Sequence, residues 1–142
     1  MKPEKKEEFK LNLAELFKHL QEELKLRSVP KLFLVEDQKN ADKILGKTGY
    51  YDPSKREIHL FITDRHPKDI LRSFSHECVH HWDHERGKLD NSNNTGHDPM
   101  YAQNNKELRE AEKRAYMLGN LCFRDWEDYK KEKDRKSGKK GV

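Results

Sequence analysis

Four of the chain's eight histidines fall within residues 73–87, "SFSHECVHHWDHERG". Inside that stretch, His76-Glu77-Cys78-Val79-His80 sets two histidines four apart, with a glutamate beside the first. At roughly 100° per residue, helical positions four apart stand one above the other, so both imidazoles can reach a single ion. Glu77 is badly placed to be a third ligand of that ion. It is well placed to take a proton from a water that the ion activates. Three fixed letters in five recur often by chance, so the pattern needs a partner from elsewhere in the chain.

A helix has to carry these residues, and the flanking sequence provides one. Pro67 suits a first helical turn, Asp69 follows close behind and Gly87 marks a stop, so the spacing predicts a helix from about 67 to 86. With Ile70 at the origin of a helical wheel, Phe74, Cys78, Leu71 and Trp82 occupy roughly 0 to 120°, and His76, His80 and Glu77 roughly 240 to 340°. One face should pack and the other should present its side chains.

A catalytic zinc takes three protein ligands and keeps one position open. The metzincin pattern requires a glycine and then a histidine downstream, where this chain has Asp83 and Arg86, so that class is excluded. His84 continues the histidine stripe but lies too far along a straight helix to complete a tetrahedron, and is expected to support the site or lie exposed. A last helix, from about Lys106 to beyond Trp126, offers Glu112. Its apolar residues Leu108, Ala115, Gly119, Cys122, Phe123 and Trp126 form one stripe, and Glu112 falls within it. A lone carboxylate there is costly unless it is neutralised, either by the ion held by His76 and His80 or by an arginine such as Arg72. Glu110, roughly 160° away on the wheel, should face solvent, and Glu107 is also off the stripe.

The remaining elements follow from periodicity. Phe9, Leu13, Leu16, Phe17, Leu20 and Leu24 recur three or four apart, giving an amphipathic helix over about 4–27. "KLFLVE" reads as a strand, and "KILGKTGYY" and "REIHLFIT" flank the turn "DPSK" as a β-hairpin. "KLDNSNNTGHDPMYAQNN" is a loop by composition. The expected class is therefore α+β: an N-terminal helix, a small three-stranded sheet, an active-site helix and a C-terminal ligand helix. One domain should cover 1–128, with 129–142 a disordered basic tail. His59, His66 and His19 are expected to be solvated, and Tyr50 and Tyr51 half-buried.

Composition sets bounds on this reading. Of 142 residues, 32% are hydrophobic and 39% charged, which suits one domain with a modest core. The net charge of +4 does not by itself indicate nucleic acid. Residues 130–140 hold seven Lys or Arg, but Glu132 and Asp134 dilute them and no aromatic residue interleaves, so a solvated tail is favoured over a nucleic-acid contact. The charged N-terminus and the lack of any long apolar run point to a cytoplasmic protein with no membrane partner. Cys78 and Cys122 fall on apolar faces and should be free thiols. Nothing in the sequence speaks to oligomeric state.

The helix with H-E-x-x-H followed by a helix with "EKRAY", residues 112–116, resembles the gluzincin class of zinc metallopeptidases, in its minimal single-domain form. The match to E-x-x-A-D/N holds except that Tyr116 stands where Asp or Asn is usual. The resemblance implies a zincin-like fold, zinc on His76, His80 and Glu112, Glu77 as general base, and a peptide or protein substrate. It also implies that "REIHLFIT" is the edge strand above the site, and that Tyr116 or Asn120 supports a ligand histidine. "HECVHHWDHERGKLDN" with "ELREA" is similar to a mitochondrial type of peptidase built on HELxHAxD, CR and EIRA elements. "GHDPMY" looks like the G-H-G-P-E-F of SprT-like proteases, which act on DNA-bound proteins, and makes His97 the rival third ligand. "AYMLGN" with "FRDWED" resembles small peptidase-like proteins of bacteriophages. A zinc-binding interaction protein without turnover is the remaining alternative. Tyr101 or Tyr116 would donate to an oxyanion.

Overall fold

The structure, a computed structural model, describes residues 3–44, 46–87 and 106–136. Its elements are α1 (Pro3–Leu24), β1 (Lys31–Val35), α2 (Gln38–Ala41), β2 (Gly49–Asp52), β3 (Glu57–Phe61), α3 (Pro67–Glu85) and α4 (Lys106–Lys136). The class is α+β, with four helices and a three-stranded sheet among the described residues.

The helices form where the apolar spacing places them. In α1, Phe9, Leu13, Leu16, Leu20 and Leu24 are buried, and the helix stops because Lys25 turns left-handed at φ 55°. α3 begins with Pro67 in its first turn behind a His66 N-cap, whose Nδ1 accepts from the Lys68 amide at 3.1 Å. It ends where Gly87 takes φ 73°.

The sheet order is β1-β3-β2, with β1 parallel and β2 antiparallel to β3. The hairpin turn is held by Asp52 Oδ1, which accepts from the Ser54 amide at 3.0 Å and its hydroxyl at 2.7 Å. This topology corrects one expectation. "REIHLFIT" supplies the central strand β3, because β1 crosses over to pair on its far side, and the edge beside α3 belongs to β2. Alternation puts Ile58 and Leu60 into the core, while Phe33, His59 and Tyr50 line up on the other face. There His59 is not simply solvated: it stacks between Phe33 and Tyr50, at ring-centroid distances of 4.8 and 4.6 Å.

One core joins α1, the inner sheet face, α3 and α4. Ile58, Leu60, Ile70, Phe74 and Phe123 are among its buried side chains, each stabilising by about 1.5–3 kcal/mol relative to exposure. Cys78 and Cys122 are both buried and free. No helix among the described residues is long and apolar enough to cross a membrane.

The tail expected from 129 is a correction as well. Helix α4 runs on to Lys136, because the segment finds partners: Lys130 bonds Asn12 on α1 and lies over the Trp126 ring, and Arg135 pairs with Glu132 one turn back. Residues 137–142 fall outside the described residues.

Candidate metal centre

Three side chains from two helices converge. The His80 Nε2 stands 2.9 Å from Glu112 Oε1, and the His76 Nε2 stands 3.4 Å from Glu112 Oε2. One donor atom from each residue lies within 4.8 Å of the other two, and among the described residues this is the one such group that could hold a metal ion. Ligands at the corners of a tetrahedron with bonds near 2.1 Å are ~3.4 Å apart, and the two histidine–carboxylate separations are on that scale. A two-histidine, one-carboxylate donor set fits zinc with an open position. His80 Nδ1 is buried and has no hydrogen-bond partner among the described residues.

The electrostatics are those of a carboxylate shared by two imidazoles. Burial pushes Glu112 up, but hydrogen bonds from His76 and His80 outweigh it and hold the carboxyl well below its usual range. Burial pushes His80 down, and the Glu112 contact with the nearby Glu77 and Asp83 charges reverses this, leaving it raised. Glu77 is buried beside the two histidines, and its desolvation raises its pKa against their opposing pull. A carboxyl pushed up in this way moves toward the range useful to a general base at neutral pH.

The packing explains the positions. Gly119 lets α4 lie directly on α3: a Cβ there would stand 3.1 Å from the His76 Cα and 3.2 Å from its amide nitrogen. The Ser75 hydroxyl donates to the Gly119 carbonyl at 2.7 Å across the same contact. Two residues beyond Glu112, the Arg114 Nε reaches both oxygens of Asp83, at 3.1 and 3.2 Å, and Asp83 is fully buried. Arg86 donates to the same carboxylate at 2.7 Å. α3 and α4 are thus tied together within a turn of His80 and of Glu112.

Several expectations can be placed on this geometry. Glu112 lies at the margin of the buried stripe of α4, with 35% of its side chain exposed, and Glu110 faces solvent near Lys113. Arg72 pairs with Asp69 at 3.0 Å and lies over the Phe123 ring, so it does not neutralise Glu112. The two-faced picture of α3 fails, because Glu77, His80, His81 and Asp83 are buried along with the apolar residues. The wheel of α3 alone could not reveal that α4 and β2 cover the supposedly open face. Tyr116 touches the site through its ring edge against His76, at 4.6 Å between centroids, whereas Asn120 is exposed. His97, Tyr101 and the loop that contains them lie outside the described residues.

Sequence reasoning missed a second polar cluster on α3. Tyr51 is buried, and its hydroxyl lies 2.8 Å from His81 Nδ1 and 3.0 Å from His84 Nδ1. The His81 Nε2 faces only oxygens, Ser28 Oγ at 3.0 Å, the Ser28 carbonyl at 3.2 Å and Glu85 Oε2 at 3.3 Å, two of which can only accept. The proton of a neutral His81 therefore sits on Nε2, Tyr51 donates to Nδ1, and His84 donates to Tyr51. Burial pushes both imidazoles down. This chain of bonds takes His84 away from the metal cluster. The signal was present in the doublet His80-His81, since two histidines 100° apart cannot both serve one ion.

Compared with protein-family models, with curated proteins and with solved structures, the chain matches none.

Proposed function

We propose that the chain is a zinc-dependent metallopeptidase of the gluzincin type, with a zincin-like fold. The observation that carries this reading is the convergence of His76, His80 and Glu112 from two helices, with the buried Glu77 carboxyl beside them. His76, His80 and Glu112 are the residues that hold the metal. Zinc bound there supplies Lewis-acid polarisation of a carbonyl and brings the pKa of a water down towards ~7. Glu77 takes the proton of the attacking water and delivers it to the leaving amine. Tyr116, exposed beside His76, donates a hydrogen bond to the oxyanion as it develops.

The substrate is an extended peptide. Among the described residues β2 has no strand partner on its outer edge, and it packs against α3, so it takes over the docking role first expected of β3. A peptide added there is held by main-chain bonds, which position the scissile amide and leave the choice of side chains to surfaces beyond the strand.

The test pairs metal analysis with turnover. The purified chain should retain one zinc, and Glu77→Gln should keep that zinc while hydrolysis of a casein or peptide substrate falls by about 10²- to 10⁴-fold. An amide keeps the shape of the carboxyl but cannot accept the proton. Turnover undiminished in Glu77→Gln would remove Glu77 from the mechanism. Stoichiometric zinc with no hydrolysis of any peptide would leave the chain a zinc-binding interaction protein.

A further inference from the structure

On α4, Arg109, Lys113, Tyr116, Asn120 and Arg124 follow one another at steps of four, three, four and four residues. Those steps keep all five within an arc of roughly 80°, as a straight row ~22 Å long. All five are exposed. The acidic residues between positions 109 and 124 are Glu110 and Glu112, and both fall outside that arc; the next residue on the row, Glu127, lies one turn beyond Arg124 and is paired with Lys68 at 3.2 Å. Lys113 reaches Glu110 only at 3.9 Å with 77% of its side chain exposed, and Arg109 and Arg124 make no hydrogen bond or ion pair with any described residue. Lys113 is thus only loosely paired and the two arginines are unpaired among the described residues, so the row from 109 to 124 presents positive charge with no acidic side chain set in it.

The row is continuous with the metal cluster. Tyr116, at its centre, sets its ring edge against His76, and Glu112 lies one turn before Tyr116 on the adjoining margin of the helix. A length of ~22 Å matches about seven residues of extended chain at ~3.3 Å each. Two cations one turn apart mark one end and Arg124 marks the other, with the neutral Tyr116 and Asn120 between.

We infer that this row is the recognition surface for an acidic polypeptide segment, so that the substrate class of the proposed peptidase is acidic protein. The inference rests on the peptidase reading for what happens to the segment, but not for its binding. A single-stranded nucleic acid is the less suitable occupant, because such strands are held by several aromatic rings interleaved with the cations, and this row has one ring, already set against His76. An acidic segment needs only the three charges and a neutral middle.

The experiment reads binding without turnover, by fluorescence anisotropy of labelled heptapeptides on the full, zinc-supplemented chain. One peptide carries Asp or Glu at both ends, a second has Gln at those positions and a third has Lys. The acidic peptide should bind about tenfold more tightly than the Gln peptide, the sum of a few exposed charge contacts, and the Lys peptide least. The Arg109→Glu, Arg124→Glu double variant, on an exposed face, should retain zinc and melting temperature and reverse the order. Equal binding of the acidic and Gln peptides, or a preference that persists in the double variant, would overturn the inference. An oligothymidylate that binds as tightly as the acidic peptide and is lost in the same variant would overturn it too, making the row a reader of phosphate. A chain that hydrolyses nothing yet keeps the acidic preference supports the surface and removes the peptidase reading, so the two fail separately.

Discussion

Asp83 and Arg114 join helices α3 and α4 through a carboxylate with no solvent exposure and a guanidinium held at 3.1 and 3.2 Å from its two oxygens. Asp83 is three residues after His80, and Arg114 is two after Glu112, so the bridge fixes the register in which His80 and Glu112 meet. Asp83 is buried, but Arg114 and Arg86 are 30% and 35% exposed, so water can reach their charges when the carboxylate is removed. Asp83→Ala should therefore cost about 1.5–3 kcal/mol in urea unfolding of the metal-free chain, the scale of a hydrogen bond between charged groups. A loss below 1 kcal/mol would mean the bridge does not hold the helices together.

Metal retention should separate the three candidate ligands. Glu112→Ala should lose most zinc affinity and Glu110→Ala should change little, since Glu110 faces solvent and Glu112 touches both histidines. His76→Ala and His80→Ala should each abolish stoichiometric binding, because two ligands hold zinc poorly. If His97→Ala strips the metal and Glu112→Ala leaves it bound, the SprT-like arrangement is the correct one. Zinc dissociation constants for the five variants decide between them.

Gly119→Ala tests the close approach of the helices. Alanine gains about 1 kcal/mol of helix propensity over glycine. Its Cβ, however, would meet backbone atoms of His76 at 3.1 and 3.2 Å, which no side-chain rotation relieves. Overpacking of this kind costs about 1–3 kcal/mol, so the variant should be less stable, and its zinc affinity should fall because His76 is displaced. A more stable variant with unchanged affinity would show that α4 can lift away freely.

Acid should loosen the segment after α1 through Glu85. Burial pushes this carboxyl up, but the Ser28 hydroxyl, the Arg27 amide and His81 together pull it below its usual value. A carboxyl depressed in the folded state contributes stability that is fully present above its unfolded pKa, ~4.3, and is lost as pH falls through the folded value. Wild type should therefore lose more melting temperature below pH 4.3 than Glu85→Gln does. Parallel acid limbs for the two proteins would exclude the contribution.

Much of this architecture was legible because it rests on local periodicity. The apolar steps Phe9, Leu13, Leu16, Leu20 and Leu24 bury as their spacing requires, and "DPSK" turns the hairpin. Glu112 was found because an acidic residue beside Leu108, Ala115 and Gly119 needs a neutralising partner, and the structure puts it against two histidines. What was not legible depends on non-local pairing. Which strand takes the middle of the sheet is set by the crossover of β1, and no residue of "REIHLFIT" encodes it. The burial of His81 depends on Tyr51 and Ser28, which are 30 and 53 residues away in the chain. The helical end of α4 depends on Lys130 reaching α1, and a charge-rich sequence taken alone reads as solvated.

The central position of β3 also orders the assembly of the sheet in time. β2 and β3 are adjacent in sequence and can zip as a hairpin on the microsecond scale of such elements. β1 pairs Lys31 with Glu57 in parallel, and it must first close a loop that contains α2 and all of β2. The hairpin is therefore the early template and β1 the late arrival. Substitutions in β1 should chiefly hasten unfolding, and those in the turn at Asp52 should chiefly slow folding.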